Sequence, residues 1–248
     1  MKSVLRKIKR ELDDYRLLLR SVPAIAVVGF TVSVILMNFM ANKVIFRFGD
    51  YAAADGGLLI SWIPFLSMDV IVKRYGTKAA NKINIFAVAV NLLCVGVLAL
   101  VSALPGDGGD YSAFNATFSC TWFILLGSVV AIIISGLVNN ATNKAISKMF
   151  TDETSKIAYV TSSYVSTFIA QFVDNFVFAV IVYVVFGPMY WEGFEPFTLL
   201  TCVGCGLVGA CLELVMEVVF SPIGFRVLKR WERDQVGADY LNSLEEKE

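Results

Sequence analysis

The sequence predicts an all-α membrane protein with six transmembrane helices and both termini cytoplasmic, on three observations. Of its 248 residues, 57% are hydrophobic and only 17% charged, with mean hydropathy +0.68. A soluble domain carries about 25% charged residues. The deficit is gathered into runs: 22–41 and 86–104 hold no Lys, Arg, Asp or Glu, and about 20 such residues cross ~30 Å of hydrocarbon as a helix. The third observation is the placement of the basic residues, which gather on alternate connections.

Residues 1–21 come first, charged and amphipathic. Leu5, Ile8, Leu12, Tyr15 and Leu19 recur every three or four positions, the spacing of one helix face. This stretch is expected to lie at the cytoplasmic interface and feed the first span. A cleaved signal is not expected, because no small-residue site follows a short apolar core. Six apolar segments then read at about 22–46, 57–73, 83–104, 117–138, 157–186 and 198–220. They make residues 22–225 a single transmembrane domain and 226–248 a charged cytoplasmic tail.

All 21 basic residues except Lys43 and Arg47 fall in the two tails and the second and fourth connections. The third and fifth connections carry only acids: Asp107, Asp110, Glu192 and Glu195. The positive-inside rule therefore puts both termini in the cytoplasm, in agreement with an even number of spans. The setting is a cell (inner) membrane, crossed several times.

Composition also excludes chemistry. Twenty-one basic against twenty-one acidic residues leave no net charge for a nucleic-acid footprint. The absence of His removes the commonest metal ligand and general base. Cys94, Cys120, Cys202, Cys205 and Cys211 lie in or beside apolar runs and read as packing residues. Cys202 and Cys205 lack a second pair to complete a four-ligand site, so no metal or other cofactor is expected, and the chain reads as a non-enzyme.

Polar groups at bilayer depth are costly, and mark function by default. Span one carries Asn38, Asn42 and Lys43 near its outer end, where Lys43 either meets a ligand or snorkels outward. Span two carries Asp69, open to pairing with Lys73 or Arg74 instead of a ligand. Span three holds Asn91, and span four ends in Asn139, Asn140, Asn143 and Lys144. Span five carries Gln171, Asp174 and Asn175, the first two three apart on one face, behind Ser162, Ser163, Ser166 and Thr167. Asp174 is expected at a substrate or ion.

Glu213 and Glu217 in span six share a face and either pair with interfacial bases or form a coupling-ion or proton site. Span two opens at Gly56-Gly57 and is interrupted by Pro64, the pattern of a transporter binding site. Trp62 and Phe65 flank that break and either stack on a flat ring or pack as ordinary aromatics.

Asn38-x3-Asn42-Lys43 recurs as Asn139-x3-Asn143-Lys144, and an Asp follows in the next span of each half, Asp69 and Asp174. With span one running outward and span four inward, this suggests an inverted repeat of three spans.

Three stretches resemble the queuosine precursor transporters, or vitamin-uptake-transporter-like proteins: 38–46 (NFMANKVIF), 57–80 (GLLISWIPFLSMDVIVKRYGTKAA) and 162–178 (SSYVSTFIAQFVDNF). The middle stretch is similar to the family's Pro-Phe pair followed by an Asp and an aromatic-Gly. The last resembles its Ser-rich approach to an Asp. The resemblance implies uptake of 7-deazaguanine bases destined for transfer RNA modification. It makes Asp69 or Asp174 the reader of a guanine-like edge, Trp62 or Phe65 the stacking surface, and Asn42, Asn143 or Gln171 the donor to a ring carbonyl. Span six departs from the family, with Leu212-Glu213 where a Lys is common.

The rival reading is the substrate-binding subunit of an energy-coupling-factor vitamin transporter, which works with an ATPase module. The chain has no Gly-x4-Gly-Lys-Ser/Thr run, so it binds no nucleotide by that motif. The expected partners are thus a flat, nucleobase-like molecule, the bilayer and, on the rival reading, ATPases. Gly206-x3-Ala210 fits packing within one chain or a homodimer.

Overall fold

The computed structural model describes residues 2–149 and 156–245. The chain folds into ten α-helices and one β-hairpin among the described residues: α1 Lys2–Ser21, α2 Ala24–Met40, β1 Val44–Phe48, β2 Ala52–Asp55, α3 Trp62–Tyr75, α4 Thr77–Ala103, α5 Ser112–Phe118, α6 Thr121–Ser147, α7 Lys156–Ala179, α8 Gly187–Tyr190, α9 Leu199–Arg233 and α10 Ala238–Glu245. Among the described residues four helical stretches are long and apolar enough to cross a membrane: Thr77–Ala103, Ser112–Ile146, Tyr164–Tyr190 and Leu199–Arg233. The bent pair of Ile8–Ser21 and Ala24–Met40 adds a fifth if the two count as one span. This is a mostly helical, multi-pass membrane protein.

The contacts divide into two compact units. The first comprises Met1–Ile35, Ile60–Asn91 and Glu217–Glu248. Pro23 has no N–H to continue α1, and its carbonyl accepts from Ala26 and Val27 at the start of α2. The chain turns by 101° there. Only the end of the expected apolar stripe of α1 packs: Ile8 and Leu12 are exposed, Tyr15 and Leu19 are half-buried, and Leu18, outside that stripe, is buried in a cluster with Val22, Ile71, Tyr75, Ile83 and Tyr240.

Lys82 on α4 pairs with Glu11 and Asp14 on α1, and its carbonyl accepts from Tyr15. The C-terminal segment docks on this unit. Arg74 donates from Nε and Nη2 to the Val236 carbonyl at 3.1 and 2.9 Å. Gly237 sits at φ +75°, where a Cβ would press into the Tyr75 ring.

The second unit comprises Leu36–Leu59 and Leu92–Met216. Here the structure departs from the helix expected through residue 46. Helix α2 stops at Met40, and Val44–Phe48 pairs antiparallel with Ala52–Asp55, with an irregularity in register between Val44 and Phe46. The cause is local: β-branched and aromatic residues alternate after polar Asn42-Lys43, and Gly49 takes φ +52° at the hairpin tip. A continuous apolar run does not distinguish strand from helix by period alone.

A 3-10 turn over Gly56–Leu59 follows. It presses on the end of α2 so closely that a Cβ on Gly57 would lie 2.6 Å from the Met37 carbonyl oxygen. The core of this unit is aromatic. Phe123 stacks on Phe186 (centroids 5.7 Å, 18°) and Tyr183 on Phe197 (4.8 Å, 28°). Both Phe186 and Tyr183 lie in the π-helical continuation of α7, Val180–Phe186.

Candidate functional site

A group of buried and half-buried polar side chains links α6, α7 and α9 in the second unit. Ser135 on α6 donates from Oγ to Asp174 Oδ1 on α7 at 2.8 Å. The next residue, Asn175, donates from Nδ2 to the Gln171 carbonyl at 2.9 Å and to Glu213 Oε1 on α9 at 3.4 Å. Glu213 is 6% exposed and Gln171 9%. Glu213 Oε2 and Gln171 Oε1 find no partner among the described residues.

Asp174 and Glu213 are within electrostatic range of each other, and so are Glu213 and Asp55. Among the described residues no ion pair offsets Asp174 or Glu213. Glycines on α9 allow the approach. A Cβ on Gly209 would overlap the Asn175 carboxamide, and one on Gly206 would lie 2.8 Å from the Phe172 ring. Gly206 thus packs inside the chain, and Ala210 is fully buried.

Asp55, absent from the sequence candidates, closes the hairpin. Its Oδ1 accepts from the Gly57 N–H at 2.8 Å, and its Oδ2 is 2.9 Å from Tyr183 Oη. The same hydroxyl lies 3.0 Å from the Ala41 carbonyl oxygen. Tyr183 has one proton and the carbonyl only accepts. Tyr183 therefore shares that proton between the Asp55 carboxyl and the Ala41 carbonyl.

Burial pushes the Asp55 carboxyl up to about 6, against the pull of its hydrogen bonds from Tyr183, Gly57 and Leu58. A carboxyl whose folded value is raised binds its proton better folded than unfolded. Stability from this group is therefore full below the unfolded value of 3.8 and falls as pH rises to about 6. A carboxyl held one pH unit above its ordinary value corresponds to about 1.4 kcal/mol between its two protonation states. The thermal midpoint of the purified protein is expected to fall between pH 4 and 6.5. In Asp55→Asn, whose carboxamide donates to Tyr183 and accepts from Gly57, that slope is expected to flatten. An unchanged slope in the variant assigns the pH dependence elsewhere.

The other sequence candidates fall as follows. Asn42 lies in the turn after α2 and donates from Nδ2 to the Phe39 carbonyl at 3.0 Å and Thr121 Oγ1 at 3.3 Å. Its Oδ1 is buried without a protein partner. Lys43 is exposed. The Asn143 side chain lies outside the described residues, as do those of Ser162 and Ser163.

Trp62, Phe65, Asp69 and Glu217 belong to the first unit. There Trp62 stacks on Phe220 (centroids 3.9 Å, 12°) and Phe65 is exposed. Asp69 is 3.8 Å from Lys73 with both side chains about half exposed, and Glu217 lies within electrostatic range of both. Glu213 and Glu217 therefore have separate neighbours, each with its own Asp.

Ser135, Tyr183 and Asp55 were missed, and Asn175 was noted only as a polar residue of span five. Asp55 had one available signal, its position just before Gly56-Gly57, where an Asp side chain caps the following turn.

A family model for vitamin uptake transporters matches residues 55–227. No curated protein and no solved structure matches the chain. The matched stretch runs from Asp55 through Asp174, Asn175 and Glu213 and takes in every long apolar helix from α4 onward. By that match the chain belongs to the vitamin-uptake-transporter-like family and is a membrane transporter for vitamin-like substrates.

Proposed function

We propose that this chain imports queuosine precursors, the 7-deazaguanine bases used in transfer RNA modification, with Asp174 as a cargo-contacting carboxylate. The reading rests on the Asp174–Asn175–Glu213 group, half-buried to buried, in a chain of a transporter family. A carboxylate outside every ion pair among the described residues is an acceptor for an N–H group of such a base. Gln171 supplies a further polar atom one turn away.

Six crossings are read as α2, residues 56–75, α4, α6, α7 with its π-helical end, and α9. The charged helix α1 lies on the cytoplasmic surface. The 101° turn at Pro23 supports that change of direction. Alkaline phosphatase fused at Asp107 is expected to be active, and a fluorescent protein at the C-terminus to fold. The reverse pattern overturns the orientation.

Uptake is tested in cells that neither make nor import queuosine precursors, with queuosine in transfer RNA as the readout at low external base. Restoration by this chain alone is the expected result. Restoration only when ATPase subunits are co-expressed favours the energy-coupling-factor reading. No restoration with either, despite membrane insertion, removes the deazaguanine assignment.

A further inference from the structure

The unmet hydrogen-bonding capacity of the second unit lies on side-chain oxygens. Its buried side-chain atoms without a partner, among the described residues, are Asn42 Oδ1, Asn139 Oδ1, Gln171 Oε1 and Glu213 Oε2. Three are carboxamide oxygens and the fourth belongs to a carboxyl group. A buried acceptor left unpaired costs about 1–3 kcal/mol, and a ligand that brings donors recovers that cost. A ligand that brings a lone pair to the same place adds repulsion.

Glu213 is the best placed of the four. It is 6% exposed, and Asn175 holds its Oε1 from the α7 side, leaving Oε2 unpartnered. Gln171, 9% exposed with its own unpartnered oxygen, lies one turn before Asn175 on the same helix. Its main-chain carbonyl takes the other bond from Asn175 Nδ2. The carboxamide of Asn175 thus fixes the carboxylate and the helical turn that carries the second acceptor. Asp174, already accepting from Ser135, lies within electrostatic range of Glu213.

We infer that Glu213, oriented by Asn175 and assisted by Gln171, is the specificity group of this site. It reads an amidine-like edge, a ring N–H next to an exocyclic NH2, on a flat heterocycle. The inference rests on the transport reading above and deepens it. It assigns Glu213 to cargo selection, where the sequence alone left it between interfacial pairing and ion coupling.

The test is competition against uptake of labelled 7-deazaguanine by cells expressing the full chain. Unlabelled 7-deazaguanine and 7-deazahypoxanthine are the competitors, and the second lacks only the exocyclic amino group. In the wild type, 7-deazaguanine is expected to compete at least ~10-fold better, since a buried hydrogen-bonding group rejects an analogue that leaves it unpaired. In Glu213→Gln the ratio is expected to shrink toward one. Should that variant fail to reach the membrane, Gln171→Leu reads the same ratio, with a partial loss expected.

Equal competition in the wild type overturns the inference while leaving transport intact. A full ratio retained in Glu213→Gln, or in Gln171→Leu where that variant stands in, also overturns it. Absence of any 7-deazaguanine uptake by the wild type removes the transport reading itself, and this inference with it.

Discussion

Asp174→Asn is expected to lower uptake by at least ~10-fold while leaving membrane insertion unchanged. Asparagine is nearly isosteric and keeps an oxygen to accept from Ser135, so the α6–α7 contact survives. The change removes the charge and replaces one acceptor by a donor, which confronts the cargo's own N–H groups. Hydrogen bonds to charged groups contribute about 1.5–3 kcal/mol each, so losing one corresponds to about 10- to 100-fold. Ser135→Ala leaves the carboxylate in place and is expected to cost less than Asp174→Asn. Full uptake by Asp174→Asn, measured as initial rate against protein level in the membrane, removes Asp174 from the site.

The largest structural effect is expected at Gly204. A Cβ there would overlap the Tyr51 main-chain carbonyl at the hairpin tip, and a backbone group cannot rotate aside as a side chain can. Overpacking of this kind costs about 1–3 kcal/mol, and more where backbone must move. Gly204→Val is therefore expected to lower the thermal midpoint of the purified protein by several degrees and to reduce uptake with it. Gly96→Ala is the matched control, because nothing lies within 4 Å of its Cβ position and the residue is exposed on α4. It is expected to leave the midpoint unchanged or raise it slightly through helix propensity. Equal effects at the two positions contradict the close seating of the hairpin on α9.

The membrane character was legible because it is written in long runs: α4, α6, α7 and α9 each coincide with an apolar segment free of internal charge over most of its length. The hairpin was not legible. Val44, Ile45 and Phe46 suit a buried helix and a strand equally, and pairing with Ala52–Asp55 is a tertiary choice. Asp174 and Gln171 stood out because polar groups in an apolar segment are conspicuous whatever they touch.

Their partners were hidden because they come from other helices. Ser135 looked like an ordinary small residue of span four. Glu213 appeared paired by spacing with Glu217, whereas its neighbours are Asn175 and Asp174. Helical spacing reports faces, and which face meets which neighbour depends on packing that Gly206 and Gly209 permit.

Reconstitution of the purified chain alone into lipid vesicles, followed by entry of labelled 7-deazaguanine, tests the central claim most directly. Saturable entry that falls at least ~10-fold in Asp174→Asn is the predicted result. Entry no faster than in protein-free vesicles, with the chain shown to be folded and inserted, would contradict the claim that this chain by itself carries such a base through the Asp174 site.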